Sequence, residues 1–391
     1  MNSETITKIQ KAIREEGLDG WLFCNFHHRD RLSDELLERP AGLSNSRMWF
    51  YAVPASGEPQ GLIHAIEADH LDGLPGTKKT YISRESLLHR LKPLGGKRWG
   101  VHASENISSL SYLDAGTYGM LTGAGLRLCS AERLIQRFKG LLDQEGIASH
   151  ERAAGDLYRI VEAVWDMVCS SYGQNRTLYE GDLRQVMEDE FLRCGLIRDH
   201  PPLAAAGRHS ANPHYDFEGP GSPVKRGDLI QLDLWAKEKT GIYADISWVG
   251  FYGKKAEPEM EELFGDLTEA REETLCFIES TLNAGRELSG AEVDRTCRSL
   301  LTARGHAGGL KHRTGHGIDT ECHGCGVNLD SVEFTDPRPL LEGSCFSVEP
   351  GIYRTGYGLR TEVNVVICGG KPRVSGPGNT KQGRQFSLLH C

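Results

Sequence analysis

The sequence contains no apolar run long enough to cross a bilayer and no cluster of Lys and Arg residues. A membrane-spanning helix needs about 20 consecutive apolar residues, and nucleic acids or anionic membrane surfaces attract concentrated positive charge. The net charge is instead −9 over 391 residues. We therefore expect neither a nucleic acid nor a membrane as a partner.

Signals for export and for disulfide bonding are also missing. The first residues, MNSETITKIQKAIREEG, lack the apolar centre of a signal peptide and predict an amphipathic helix with Ile6, Ile9 and Ile13 on one face. The eleven cysteines are odd in number and irregularly spaced, which favours reduced thiols over a disulfide framework. We expect a cytoplasmic protein.

The length favours two domains, because a single hydrophobic core rarely grows beyond about 250–300 residues. Over residues 1–135, short apolar runs alternate with helical stretches, a pattern typical of an α/β domain. Over residues 136–391, segments with helical periodicity precede β-rich segments. We expect an α+β fold there, preceded by the smaller α/β domain.

Apolar periodicity predicts the individual elements. In the smaller domain, strands are predicted near Trp21, Phe50, Ile63 and Val101. The segment SAERLIQRFKGLLDQEG predicts a connecting helix. In the larger domain, helices are predicted up to Gly173, over Glu180–Gly195, over Glu257–Gly285, and from a capping box at Ser289 and Glu292.

Four acidic residues interrupt the apolar strand segments of the larger domain. Strand interiors usually exclude carboxylates, because burial of an unpaired charge is costly. The exceptions are Asp233 in LIQLDLWA, Asp245 in IYADISWV, Glu349 after CFSV and Glu362 before VNVVI. No basic run accompanies these residues, so we expect a compensating cation.

Two hairpins would bring these carboxylates together. A turn at 239–241 would place the two aspartates on facing strands, and a reversal at 356–358 would pair the two glutamates. Four adjacent carboxylates cannot all stay ionised without cations, and two divalent ions would balance their formal charge.

The segment HRTGHGIDTECHG supplies three imidazoles, at His312, His316 and His323, with glycines at 315 and 317 that allow close backbone approach. Three histidines within twelve positions, added to four strand carboxylates, predict a metal site. Oxygen ligands suit Mn, Mg or Ca, and an added imidazole favours Mn, Co, Fe or Zn.

The same segment also contains a CxxC pair, Cys322 and Cys325. Such a pair can bind zinc, support redox chemistry, or be no more than two reduced thiols. For residues 27–46, which include the adjacent His27 and His28, we expect a loop and assign no substrate role.

Taken in order, these motifs resemble the creatinase, aminopeptidase P and prolidase family of pita-bread metallopeptidases, peptidase family M24. The four matching segments are LIQLDLWAKEKTGIYADIS, HRTGHGIDTECHG, SVEPGIY and GLRTEVNVVI. The resemblance is strong over residues 150–370. It extends loosely to DGWLF and SRMWFYAVPASGEPQGLIHAIE, which are similar to the small domain of the aminopeptidase P branch. It implies a C-terminal pita-bread domain after a creatinase-like N-terminal domain.

The resemblance also implies a ligand set for two divalent metal ions. Asp233 would bind one metal through both oxygens, and Asp245 and Glu362 would bridge the pair. His316 and Glu349 would complete the coordination of the second metal. Mn²⁺ is the expected ion, with Co²⁺, Zn²⁺ or Fe²⁺ as alternatives. The interval from Asp233 to Asp245 is one residue longer than is usual in the family, so a turn or bulge must absorb the extra residue.

Further motif residues would act on the substrate. Glu349 would shuttle a proton to the leaving nitrogen. His312, His323 and His214 (in ANPHY, where the family has a substrate-side histidine) would line the pocket and stabilise the scissile carbonyl and its tetrahedral intermediate. Arg360 would contact the carboxylates without binding a metal itself.

The implied activity is hydrolysis of Xaa-Pro peptide bonds by a metal-bridging hydroxide, in an aminopeptidase or a dipeptidase. The substrate would be a small peptide with proline at its second position, and the family suggests a homodimer. One alternative is a metal-dependent small-molecule C–N hydrolase or lyase on the same fold. Another is a non-catalytic binding protein, which the complete ligand set disfavours.

Overall fold

The computed structural model describes residues 1–40, 42–379 and 384–391. The chain divides into two compact units, Met1–Lys139 and Gly140–Cys391. The boundary expected after residue 135 lies inside a helix, Glu132–Lys139, and the first unit extends to the end of that helix. Within the described ranges, no helix is both long and apolar enough to cross a membrane.

The first unit is built on a mixed six-stranded sheet with the strand order β4-β3-β2-β1-β5-β6. Its strands are β1 (Gly20–Asn25), β2 (Trp49–Pro54), β3 (Gln60–His64), β4 (Thr77–Tyr81), β5 (Arg98–Val101) and β6 (Arg127–Ser130). Its helices are α1 (Ser3–Glu15), α2 (Arg31–Leu36), α3 (Arg84–Leu91), α4 (Ala115–Gly123) and α5 (Glu132–Lys139).

The predicted strands and the first helix of this unit are found, with two additional strands. The expectation of a loop over residues 27–46 was wrong in part, because α2 (Arg31–Leu36) lies there, capped by the Asp30 side chain, which accepts a hydrogen bond from the Ser33 amide. The four predicted strands are β1, β2, β3 and β5, and α1 buries Ile6, Ile9 and Ile13 as expected. The sequence did not predict β4 or β6, because their residues, TKKTY and RLCS, are largely exposed and lack an apolar run. Both lie beside a better-buried strand, with which they form parallel pairs.

The second unit contains the long helices and several smaller sheets. Its helices are α6 (Gln144–Gln174), α7 (Glu180–Cys194), α8 (Pro258–Asn283) and α9 (Gly290–Ala303). Its first strands are β7 (Leu178–Tyr179), β8 (Leu196–Ile197), β9 (Leu203–Ala206), β10 (Pro223–Val224), β11 (Leu229–Glu238) and β12 (Ala244–Phe251). They are followed by β13 (Cys345–Val348), β14 (Gly351–Tyr353), β15 (Gly358–Arg360), β16 (Val363–Cys368), β17 (Lys371–Val374) and β18 (Leu389–His390).

The prediction of one connecting helix for SAERLIQRFKGLLDQEG was wrong, because two helices share this segment. Helix α5 ends at Lys139, and α6 begins at Gln144 after Asp143, whose side chain accepts a hydrogen bond from the Gly146 amide. Between them, a Cβ on Gly140 would lie 2.7 Å from the Gly326 backbone. The chain therefore passes too close to a second backbone segment for a helix to continue.

Strand β11 has two faces of opposite character. Ile230, Leu232, Leu234 and Ala236 are buried in the cluster that includes the apolar face of α6. The intervening residues, which include Asp233, point to the other side of the sheet, because side chains alternate along a strand. The core therefore fixes the direction in which Asp233 projects.

The capping box predicted at the start of α9 is present. Ser289 Oγ accepts a hydrogen bond from the Glu292 amide, and the Glu292 carboxylate accepts one from the Ser289 amide. We expect Ser289→Ala to lower the free energy of unfolding by ~0.5–2 kcal/mol, the usual effect of losing an N-cap side chain. Chemical denaturation measures this change.

The control is Ser299→Ala in the same helix, at an exposed position in its interior. Because alanine is the better helix former, this variant should be as stable as the wild type or slightly more so. Equal loss of stability in both variants would contradict the capping role of Ser289.

Candidate metal centre

The hairpin of β11 and β12 places Asp233 and Asp245 on one face. Asp233 lies opposite Ser247, and Asp245 lies opposite Trp235, so the two aspartates are diagonal neighbours. The pairing is continuous from Leu229–Phe251 to Ala236–Ala244 without a bulge. The extra residue in this interval therefore lies in the connection between the strands, at 239–243.

The two glutamates occupy matching positions in a second, interrupted hairpin. Val348 pairs with Val363, and Gly351 pairs with Arg360 in the same register. Glu349 and Glu362 lie between these pairs and face each other, just outside the strands. The chain reverses over 354–357, where the Arg354 amide donates to the Tyr357 carbonyl, and Gly358 already belongs to β15. The reversal thus begins two residues earlier than predicted.

Hydrogen bonds join the two hairpins. The Glu362 amide donates to the Ser247 carbonyl over 3.2 Å, and the Asp245 amide donates to Asn364 Oδ1 over 2.8 Å. These contacts bring the four carboxylates into one space.

His316 reaches this space from a loop in which the backbone is tightly packed. A Cβ on Gly315 would lie 2.0 Å from the Ser347 carbonyl oxygen, and a Cβ on Gly317 would lie 2.5 Å from the Gly326 backbone. Both glycines are required for close backbone approach, as predicted. His316 is 3% exposed. Its Nε2 lies 3.4 Å from Asp245 Oδ2 and 3.4 Å from Glu349 Oε1.

Three oxygens of this cluster are buried without a hydrogen-bond partner among the residues that the structure describes: Asp233 Oδ1, Asp245 Oδ1 and Glu362 Oε1. Burial of unpartnered carboxylate oxygens is costly. The second oxygen of each side chain is engaged, with Arg360 for Asp233, with the Cys322 thiol for Asp245 and with Ser247 Oγ for Glu362. The three free oxygens are therefore available to a cation.

The ligand atoms form overlapping sets in which all atoms lie within 4.8 Å of one another. One set joins Asp233, Asp245 and Glu362, and another joins His316, Glu349 and Glu362. Carboxylate oxygens with one imidazole form a donor set that suits divalent ions such as Mn²⁺, Co²⁺ and Zn²⁺. The residues present thus fit two adjacent divalent ions.

The acid–base properties reflect crowding of like charges. Burial, together with the charge of the other carboxylates, raises the pKa of Asp233 and of Asp245 to about 6 and raises the pKa of Glu362 well above its usual range. Burial would also raise the pKa of Glu349, but the charges of His316, His312 and Arg360 outweigh it and lower that pKa. In the absence of cations, protons must therefore neutralise part of the cluster.

A chain of hydrogen bonds links Arg360 to His312. The Arg360 guanidinium contacts Asp233 and donates to the Tyr353 hydroxyl over 2.9 Å. Tyr353 Oη lies 2.9 Å from His312 Nε2, and His312 Nδ1 lies 2.7 Å from the Arg313 carbonyl. Because a carbonyl oxygen only accepts, Nδ1 carries the proton, and Nε2 accepts from Tyr353.

The cluster forms part of the wall of a cavity of about 510 Å³, a volume in the range of small-molecule sites. His214, His312 and His323 also line it. The His323 ring is 4.2 Å from the ring of His316, whose charge is the largest factor that lowers the pKa of His323 to about 4. The structure thus brings all of the predicted site residues to one cavity.

Sequence reasoning missed several residues that hold this site. Tyr353, Ser247 and Asn364 each contact at least one site residue, and Cys322 contacts Asp245. Two of them could have been found from position alone. Ser247 follows Asp245 by two residues, and Asn364 follows Glu362 by two, so both belong to the same strand face as a carboxylate.

Comparison with known proteins agrees with this architecture. Residues 153–368 match the sequence model of Metallopeptidase family M24. The chain belongs to this family, which confirms the predicted resemblance. It is similar over its full length to the crystal structure of dipeptidase PepE from Mycobacterium ulcerans, with a TM-score of 0.74, 18% identity, and coverage of 99% of this chain and 97% of that chain. This likeness confirms the predicted α+β fold.

Curated relatives match a shorter region. A putative Xaa-Pro aminopeptidase from Mycoplasma pneumoniae is 29% identical over 187 residues, which is 47% of this chain and 49% of that protein. An Xaa-Pro dipeptidase from Lactobacillus delbrueckii subsp. lactis is 31% identical over 163 residues, which is 41% of this chain and 40% of that protein. The match therefore spans about half the length of these relatives or less.

The unpartnered oxygens predict that divalent ions stabilise the fold. At a free metal concentration about 100 times Kd, binding to the folded state alone adds about 2.7 kcal/mol. We expect Mn²⁺, Co²⁺ or Zn²⁺ to raise the melting temperature of the wild type, and Asp245→Asn to lose most of this increase. The metal-free variant should melt no lower than the metal-free wild type, because the amide removes a buried charge. Differential scanning calorimetry with and without metal measures both effects.

Asp199→Asn is the matched control, because Asp199 lines the same cavity outside the carboxylate cluster. It should keep the stabilisation by metal. Equal stabilisation of the wild type and Asp245→Asn would contradict the assignment of Asp245 as a ligand.

Proposed function

We propose that this chain is a peptidase that uses two divalent ions to hydrolyse the Xaa-Pro bond of small peptides. The convergence of Asp233, Asp245, His316, Glu349 and Glu362 at one cavity wall carries this proposal. Membership of Metallopeptidase family M24 supports peptide hydrolysis. The names of the two curated relatives, an Xaa-Pro aminopeptidase and an Xaa-Pro dipeptidase, support the choice of bond.

The proposed ligands are the five residues of the cluster. Asp233, Asp245 and Glu362 would hold one ion, and His316 and Glu349, with Asp245 and Glu362 shared, would hold the other. When bound, such ions lower the pKa of water and polarise a carbonyl group. Arg360 would keep Asp233 oriented and offset part of the charge of the carboxylates, as its contact with Asp233 and its buried position support.

Glu349 is the proposed proton carrier. Its lowered pKa keeps it ionised at neutral pH, so that it can accept a proton from the attacking water and donate it to the leaving nitrogen. Ser347 Oγ donates a hydrogen bond to Glu349 Oε1 over 3.0 Å, which holds the carboxylate in place. General acid–base help of this kind contributes about 10²–10⁴-fold to a rate.

The rest of the cavity suits a short peptide with a prolyl ring. Pro201, Leu203, Pro213 and Trp235 provide apolar surface in the wall that also carries the cluster. His214 and His323 offer ring N–H groups for a substrate carbonyl and its tetrahedral intermediate. His312 is held by Tyr353, so we propose that it acts on the substrate together with that hydroxyl. The homodimer and the cytoplasmic location stay predictions from the sequence.

Glu349→Gln tests the proton-transfer role. The amide keeps an oxygen that can contact a metal but cannot carry the proton, so kcat on Xaa-Pro substrates should fall about 10²–10⁴-fold. Activity should be assayed on Xaa-Pro dipeptides and on longer Xaa-Pro peptides. The metal content of each preparation should be measured by elemental analysis, which separates loss of metal from loss of proton transfer.

Glu333→Gln is the control, because Glu333 is an exposed carboxylate that lines the same cavity. It should retain kcat within a few-fold. Wild-type protein that carries two ions and cleaves neither class of peptide would contradict the proposed activity and favour a small-molecule substrate.

A further inference from the structure

Cys322 occupies an unusual position beside the proposed metal centre. Its side chain is 2% exposed, and its Sγ lies 3.1 Å from Asp245 Oδ2. Cys325, the other cysteine of the CxxC pair, lies in a different environment, where its amide donates to Asp319 and its carbonyl accepts from Arg338. The backbone of Cys325 is thus held by residues outside the carboxylate cluster.

Three potential ligand atoms meet at this point. Cys322 Sγ, a carboxylate oxygen of Asp245 and a ring nitrogen of His316 all lie within 4.8 Å of one another. The Asp245 oxygen at this point is Oδ2, which lies 3.1 Å from Cys322 Sγ and 3.4 Å from His316 Nε2. The other oxygen of the same buried carboxyl group, Oδ1, has no hydrogen-bond partner within the described part of the chain. A thiol, an imidazole and a carboxyl group with one unpartnered oxygen, all buried and adjacent, indicate a site for a cation that accepts sulfur, nitrogen and oxygen.

We propose that Cys322 is a thiolate ligand of the ion shared by Asp245 and His316. This inference rests on the proposed metal centre and adds a sulfur atom to it. When the ion binds, the S–H bond breaks, a metal–sulfur bond forms and the proton passes to solvent, so that no oxidant or reductant is needed.

A sulfur ligand changes the metal that the site selects. Thiolate favours Zn²⁺, Cd²⁺ and Co²⁺ over the harder Mn²⁺ and Mg²⁺. The position of Cys322 therefore argues for Zn²⁺ or Co²⁺ at the His316 side of the centre, in place of the Mn²⁺ that we expected from the sequence.

The test is the absorption spectrum of the full-length protein loaded with Co²⁺. Thiolate bound to Co²⁺ gives an intense charge-transfer band in the near ultraviolet, which carboxylate and imidazole ligands do not give. We expect this band in the wild type and its loss in Cys322→Ser, with the visible bands of bound Co²⁺ retained. Serine keeps a hydroxyl that can donate a hydrogen bond to Asp245, as the thiol does. The variant therefore removes the sulfur atom but preserves the hydrogen bond to Asp245.

Cys325→Ser is the matched control, because it removes the other buried thiol of the same CxxC pair. It should keep the charge-transfer band. Competition titrations provide a second measurement. Cys322→Ser should weaken Cd²⁺ binding by more than the roughly 10–100-fold that loss of an outer-shell partner typically causes, and should change Mn²⁺ binding much less.

Two results would overturn the assignment of Cys322. One is a wild-type spectrum with bound Co²⁺ and no charge-transfer band, which needs no variant to interpret. The other is a band that survives Cys322→Ser. Both leave the metal centre of the proposed function intact, whereas a wild-type protein that binds no Co²⁺ would overturn the thiolate and the metal centre together.

Discussion

The main physical constraint on the second unit is that it buries four carboxylates close together. Asp245 and Glu362 are almost fully buried, Asp233 and Glu349 are mostly buried, and three oxygens of this group have no partner within the described residues. Mutual repulsion of carboxylates at this distance would oppose folding unless protons or cations neutralise them. The surrounding architecture is therefore best understood as a scaffold that holds negative charge in place for cations.

Several layers of that scaffold are visible. The apolar face of β11 packs against α6 and directs Asp233 away from the core. A buried arginine, Arg271, donates to Thr361 Oγ1 over 2.6 Å and so fixes the residue that precedes Glu362. Arg360 ties Asp233 to Tyr353, and through Tyr353 to His312. Two hairpins and one glycine-rich loop thus hold the ligands in fixed positions relative to one another, as a preorganised site requires.

Much of this could be predicted from the sequence, because the strongest signals were local. Carboxylates within apolar strands, the glycines beside His316 and the capping box at Ser289 each follow from elementary rules about burial, backbone approach and helix ends. The exposed strands β4 and β6 could not be predicted, because pairing with a neighbouring strand, rather than their own residues, determines them. The break between α5 and α6 was missed because it results from contact of Gly140 with Gly326, which lies far away in sequence. The links of Tyr353 and Cys322 to the site are likewise tertiary.

Direct observation can test whether these carboxylates bind two divalent ions, as we propose. Crystals of the protein grown with saturating Co²⁺ or Zn²⁺ should show two anomalous difference peaks about 3.5–4 Å apart, the spacing of two-metal hydrolytic sites. We expect these peaks to be surrounded by the five proposed ligands, Asp233, Asp245, His316, Glu349 and Glu362. Absence of any peak at this cluster under saturating metal would contradict the proposal.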